Sequence, residues 1–161
     1  MQLQLIVSTN LKLLCVGGAI VGECTDIADK IYNGKKLPGP PRHVIVISTH
    51  LKRNLTDNEF KAIYYHELGH YELGHLSGNK KTMDWKLKEL EADKYAANQI
   101  GAINVLTALE KLPSIVSKCK SLRKVNIKNS TDEEYTINLN RFITKINNAM
   151  KFRHDELKKL I

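Results

Sequence analysis

The pentapeptide His66-Glu67-Leu68-Gly69-His70 sets two imidazoles four residues apart with a carboxylate next to the first. On a helix, positions i and i+4 lie one above the other, so both rings face one point and can ligate the same Zn²⁺ at ~2.0–2.1 Å each. Glu67 is rotated by about 100° from His66, which directs it to a water on the metal rather than to the metal itself. Such a set performs hydrolysis: the metal acidifies the water and polarises a carbonyl, while the carboxylate takes the proton as general base. The same five residues also read as two surface histidines on an ordinary helix, so context has to add weight.

A catalytic zinc takes three protein ligands and keeps one position open. Downstream, the stretch Lys88-Glu89-Leu90-Glu91-Ala92-Asp93 offers carboxylates. Glu89 and Asp93 are four apart and share a helical face, while Glu91 points elsewhere. On that geometry Glu89 is the better third ligand, and Asp93 can hold a ligating imidazole by accepting its other N–H. A solvated Glu/Lys face is the alternative for these acids.

The elements that must carry these residues are legible in outline. Thr56-Asp57-Asn58-Glu59 has the form of a capping box, with Leu55 and Phe60 placed as a hydrophobic staple. Phe60, Ile63, Tyr64, Leu68 and Tyr71 then recur at helical spacing, which predicts an amphipathic helix through the pentapeptide, ended by Gly74 or Gly78. A second helix is expected over about Asp84 to Ile100, with Leu87, Leu90 and the alanines facing inward and Gly101 as its stop. A third covers about Asn104 to Leu112 and ends at Pro113; a fourth starts at the capping-box signature Thr131-Asp132-Glu133-Glu134 and carries Tyr135, Leu139, Phe142, Ile143, Ile146 and Met150 inward. A short last helix is expected over Asp155 to Leu160. Ahead of the pentapeptide, Leu3 to Val7 alternate as a short strand, Cys15 to Gly22 read as a turn or close-packed helix start, and Leu37-Pro38-Gly39-Pro40-Pro41 is a loop. That loop leads into the β-branched run His43 to Ser48, read as a strand. The expected fold class is α+β: a mainly helical single domain over 1–161 with a small β-sheet or hairpin beside the active-site helix.

Composition bounds the rest. At 161 residues, 42% hydrophobic and 26% charged, the chain has the makings of one folded domain. The net charge of +8, from 25 basic against 17 acidic residues, is spread along the chain without interleaved aromatics, so it reads as a solvated face and no nucleic-acid partner is expected. Three cysteines, Cys15, Cys24 and Cys119, form no paired motif and point to a reducing, cytoplasmic setting. The apolar start is interrupted by Asn10 and Lys12 and has no basic lead, so neither a membrane span nor a signal peptide is expected.

Taken together, the strand ending in Ser48-Thr49, the Leu55-Thr56-Asp57-Asn58-Glu59 lead, the pentapeptide, and Glu89-Leu90-Glu91-Ala92-Asp93 resemble the gluzincin zinc metallopeptidases of the M48 type. The resemblance runs from about His43 to Leu112, including Gly101 and Ala108 to Leu112. It implies a zincin-like fold, a Zn²⁺ cofactor bound by His66, His70 and Glu89, a peptide or protein substrate, and Glu67 as catalytic base. Glu91 stays open as third ligand, because ImmA-like regulatory peptidases carry a similar Glu-x-Glu-Ala stretch. The resemblance further implies that Val44 to Ile47 pair with peptide as an edge strand, against a plain core role, and that His154 assists the transition state. His154 lacks the flanking prolines of the family motif and reads equally as a surface residue. His75 is expected as a neighbour of the site; His43 and His50 carry no signal. The family's membrane members have transmembrane helices, and none is expected in this sequence.

Three other readings compete: a regulatory protease for one partner, a non-enzymatic zinc-stabilised binding module, and a charge-driven nucleic-acid binder. Glu67 separates the second from an enzyme, since a structural site needs no carboxylate aimed at a water. The segments outside the core, Met1 to Pro41 and Lys118 to Ile161, are also long enough to cover the cleft, which adds latency to the competing readings.

Overall fold

The computed structural model describes residues 3–10, 13, 18–31, 34, 43–77, 80, 82–123 and 131–161. The expected loop at 37–41, Cys15 and Gly78 lie outside them, as do the side chains of Cys119 and of Tyr135, Leu139, Phe142, Ile143 and Ile146. The chain is mixed α+β and mainly helical, with a small sheet. Its elements run β1 (Gln4–Ser8), β2 (Ala19–Glu23), α1 (Cys24–Ile31), β3 (His43–Ser48), α2 (Thr49–Asn54), α3 (Asp57–Glu72), α4 (Trp85–Ile100), α5 (Ala102–Arg123) and α6 (Thr131–Lys158).

The sheet order is β1-β3-β2, with β1 parallel and β2 antiparallel to β3. The unbroken apolar run of β3 has its cause here: side chains alternate across a strand, and both faces of this one are covered. Val44 and Val46 pack with Leu13, Ile27 and Ile31 on one side. Ile45 and Ile47 pack on the other with Leu51, Ala62, Ile63 and the α5 residues Val105, Leu106 and Leu109. Because β1 and β2 take both hydrogen-bonding edges of β3, the expectation that Val44 to Ile47 pair with peptide is corrected. The segment read as a turn or helix start is in part β2, turning at Gly18 with φ +84°.

The helices around the pentapeptide begin and end where their caps dictate. The Thr56 hydroxyl accepts from the Glu59 amide at 3.3 Å and the Glu59 carboxylate accepts from the Thr56 amide at 2.8 Å, completing the capping box of α3. Lys111 of α5 donates to the same carboxylate at 2.7 Å, which ties the start of α3 to α5. The Asp84 side chain caps α4 through the amides of Lys86 and Leu87, and Gly101 closes it at φ +88°. Leu90, Ala92 and Ala96 of α4 are buried as expected, but Leu87 is 46% exposed.

Packing adds one element to the sequence reading and corrects two expectations. The short α2 was not anticipated; Ser48 caps it through the His50 amide, and its Leu51 is fully buried. Pro113 does not end α5: the helix passes through it to Arg123, because Leu112, Ile115 and Val116 on either side are buried in the core. That burial offsets the lost hydrogen bond and ring clash, worth about 3 kcal/mol. The last two expected helices are one, α6, whose Ala149, Arg153 and Leu157 form a buried stripe at intervals of four.

Candidate metal centre

The close packing of α3 on α4 follows from small residues at their crossing. A Cβ on Gly69 would lie 3.2 Å from the Ala92 Cα and 3.1 Å from the Tyr95 Cβ. Glycine at the fourth position of the pentapeptide therefore admits α4 to the distance at which Glu89 meets the two histidines. His66 Nε2 lies 3.4 Å from Glu89 Oε2, His70 Nε2 lies 3.3 Å from Glu89 Oε1, and the two Nε2 atoms are 3.1 Å apart. Among the described residues, His66, His70 and Glu89 form the group of donors able to hold a metal ion, with ligand atoms all within 4.8 Å of one another. Ligands ~2.0–2.1 Å from a tetrahedral zinc stand about 3.3 Å apart, so the observed triangle fits one face of such a site.

The rings are oriented by what their far nitrogens touch. His66 Nδ1 is 2.8 Å from Asp93 Oδ1. Asp93 is fully buried and receives Arg153 Nε at 2.6 Å and Nη2 at 2.7 Å, an arrangement that keeps it ionised and accepting. His66 must therefore donate from Nδ1, which leaves the Nε2 lone pair for a metal. His70 Nδ1 lies 2.8 Å from His75 Nδ1, and His75 Nε2 lies 2.9 Å from Glu91 Oε2. Lys80 Nζ also donates to that oxygen at 3.0 Å.

Charge points the same way. Arg153 Nη1 lies 3.2 Å from Glu89, so one guanidinium serves two carboxylates. With Glu67, Glu89 and Asp93 ionised, Arg153 charged and the histidines neutral, the group carries a formal charge that a divalent cation would cancel. Burial would lower the His66 pKa, but hydrogen bonds and charge from Asp93 and Glu89 override it and push it up to about 10. In the metal-free protein this favours the imidazolium, and a metal ion binding at Nε2 would displace that proton. Glu89 is held well below the usual carboxylate range: burial opposes this, while His66, His70 and Arg153 more than offset it. The balance for Glu67 is the reverse. Burial raises its pKa beyond what His66, His70 and Arg153 take back, moving it toward the range of a general base. Burial holds His75 below its ordinary value, which favours the neutral ring.

The structure thus brings His66, His70, Glu89 and Asp93 together and leaves Glu91 one layer out, on His75 and Lys80. His75 is buried against His70, the neighbour the sequence places it as. The structure does not bring His154 to the group; its Nε2 meets Glu110 at 2.8 Å on the exposed side of α5. The preceding residue, Arg153, enters the site instead. Its signal in the sequence is a charge in the middle of the apolar stripe Ala149, Arg153, Leu157.

No family model matches the chain, and comparisons with curated proteins and with solved structures find no match. Among the described residues, no helix is long and apolar enough to cross a membrane.

Proposed function

We propose that the protein is a zinc-dependent metalloendopeptidase acting on a peptide or protein substrate. The observation that carries this reading is the donor triangle of His66, His70 and Glu89, with Glu67 on the same helix and its pKa displaced upward. Two imidazoles and one carboxylate suit zinc over the harder cations, which prefer all-oxygen sets. When bound, zinc supplies Lewis acidity, lowering the pKa of a coordinated water and polarising the scissile carbonyl.

The chain's own residues do the rest. Glu67 takes a proton from the water as its oxygen attacks the carbonyl carbon, then returns it to the amide nitrogen as the C–N bond breaks. Asp93 fixes the His66 ring, and Arg153 balances the carboxylates so that the site folds with its acids ionised.

The test combines elemental analysis with casein cleavage. The reading predicts one equivalent of bound zinc, cleavage abolished by a chelator and restored by zinc, and loss of both metal and cleavage in Glu89→Ala. A purified, folded protein that takes up no zinc and cuts no peptide would overturn it.

A further inference from the structure

We propose that His75 and Glu91 are positioning residues that hold His70 in its metal-binding tautomer and orientation, and thereby set the metal affinity of the site. This rests on the reading of His66, His70 and Glu89 as metal ligands.

The relay begins in the backbone. After α3, Gly74 adopts φ +72°, a left-handed conformation that glycine enters without steric cost. The chain then folds back so that the Gly74 amide donates to the Tyr71 carbonyl at 3.1 Å and the His75 amide to the His70 carbonyl at 3.0 Å. This pair of bonds is a Schellman cap. It fixes the first residue after the glycine over the residue five positions before it, which here is His75 over the ligand His70. The rings meet tilted at 65° with centroids 5.0 Å apart, and their Nδ1 atoms are 2.8 Å apart.

Two facing Nδ1 atoms form a hydrogen bond only if one carries the proton and the other does not. The far end decides which. Glu91 is an acceptor, already receiving Lys80 on Oε2, so His75 donates to it from Nε2. In a neutral His75 this leaves Nδ1 as acceptor, so His70 donates from Nδ1 and presents the Nε2 lone pair to the metal. Lys88 Nζ lies 3.3 Å from the His75 carbonyl and adds a further tie to α4. Without this chain the His70 ring is free to choose the other tautomer or to turn away, and both cost affinity.

The experiment measures Co²⁺ and Zn²⁺ affinity by competition with a chelating indicator, and the visible spectrum of the Co²⁺ form, for the full chain and for Glu91→Ala, Glu91→Gln, His75→Ala and the double variant Glu91→Ala with His75→Ala. Glu91 is partly exposed, so Glu91→Ala should keep the far-UV circular dichroism of the parent and carries the test even if His75→Ala folds poorly. We expect affinity about 10–100-fold weaker in Glu91→Ala and His75→Ala, an altered Co²⁺ spectrum, and a double variant no weaker than His75→Ala. Glu91→Gln, which keeps an accepting oxygen, should recover part of the loss. Metal binding by the parent with the same affinity and spectrum in Glu91→Ala and His75→Ala would overturn this proposal alone. No metal binding by the parent would overturn the metallopeptidase reading, and this proposal with it.

Discussion

His66 leans on Asp93 and Arg153, whose side chains are 0% and 5% exposed, whereas His70 leans on His75 and, beyond it, on Glu91 and Lys80, which are 38% and 43% exposed. The first arm is an ion pair taken out of water, with carboxylate and guanidinium each satisfied by the other. Breaking such a pair leaves a buried charge without a partner and is costly. The second arm ends in a wetted pair, and such pairs contribute ~0–1 kcal/mol. Both arms do the same thing to a histidine: they occupy Nδ1 and leave Nε2 toward Glu89, where the proposed metal would sit. The difference teaches that orienting a ligand and stabilising a fold are separable, and that in this molecule His66 has both tied to one contact while His70 does not.

The largest expected effect comes from Asp93→Ala. It orphans Arg153 and frees His66, so the metal-free protein should lose about 3–5 kcal/mol in urea unfolding, together with most of its metal affinity. Arg153→Met separates the two roles within the buried arm: the denaturation midpoint of the metal-free protein should fall, while zinc is retained because every donor remains and the bound cation takes over the charge balance that the guanidinium gives Glu89 and Asp93. A loss of zinc equal to that of Asp93→Ala would show that the arginine orients the site and does more than balance its charge.

Gly74→Ala comes next. An added Cβ meets nothing within 4 Å, so its cost is the backbone conformation itself, about 1–2 kcal/mol. Thermal unfolding should show that loss, and metal affinity should fall with it because the cap that seats His75 is disturbed. The smallest stability effect is expected for Glu91→Ala, within about 0.5 kcal/mol of the parent. A destabilisation as large as that of Asp93→Ala would erase the contrast between the arms.

What the sequence disclosed of this arrangement follows the range of the forces involved. The frame of α3 and α4 rests on local chemistry, a side chain reaching its own helix end at Thr56, Glu59 and Asp84, or a glycine at 101, and local chemistry is written in order along the chain. Glu89 was also legible, since helical phase alone puts it on the face of Asp93. What needed packing was hidden. Pro113 reads as a stop because its propensity is known, and the burial of Ile115 and Val116 that overrides it is not local information. The run at β3 reads equally as an edge or a central strand until its neighbours are known. His154 and Arg153 are adjacent: a spacing of four to Ala149 and Leu157 favours Arg153, the same spacing to Met150 favours His154, and the rotation of α6 against α4 decides between them.

The most direct test of the central claim compares the parent with Glu67→Gln at matched zinc content. Glu67 belongs to neither arm and is not a ligand, so the substitution should leave metal affinity and stability close to the parent while abolishing cleavage of a peptide library. Equal cleavage by the two proteins at equal zinc would contradict the assignment of Glu67 as general base and, with it, the account of this site as a peptidase centre.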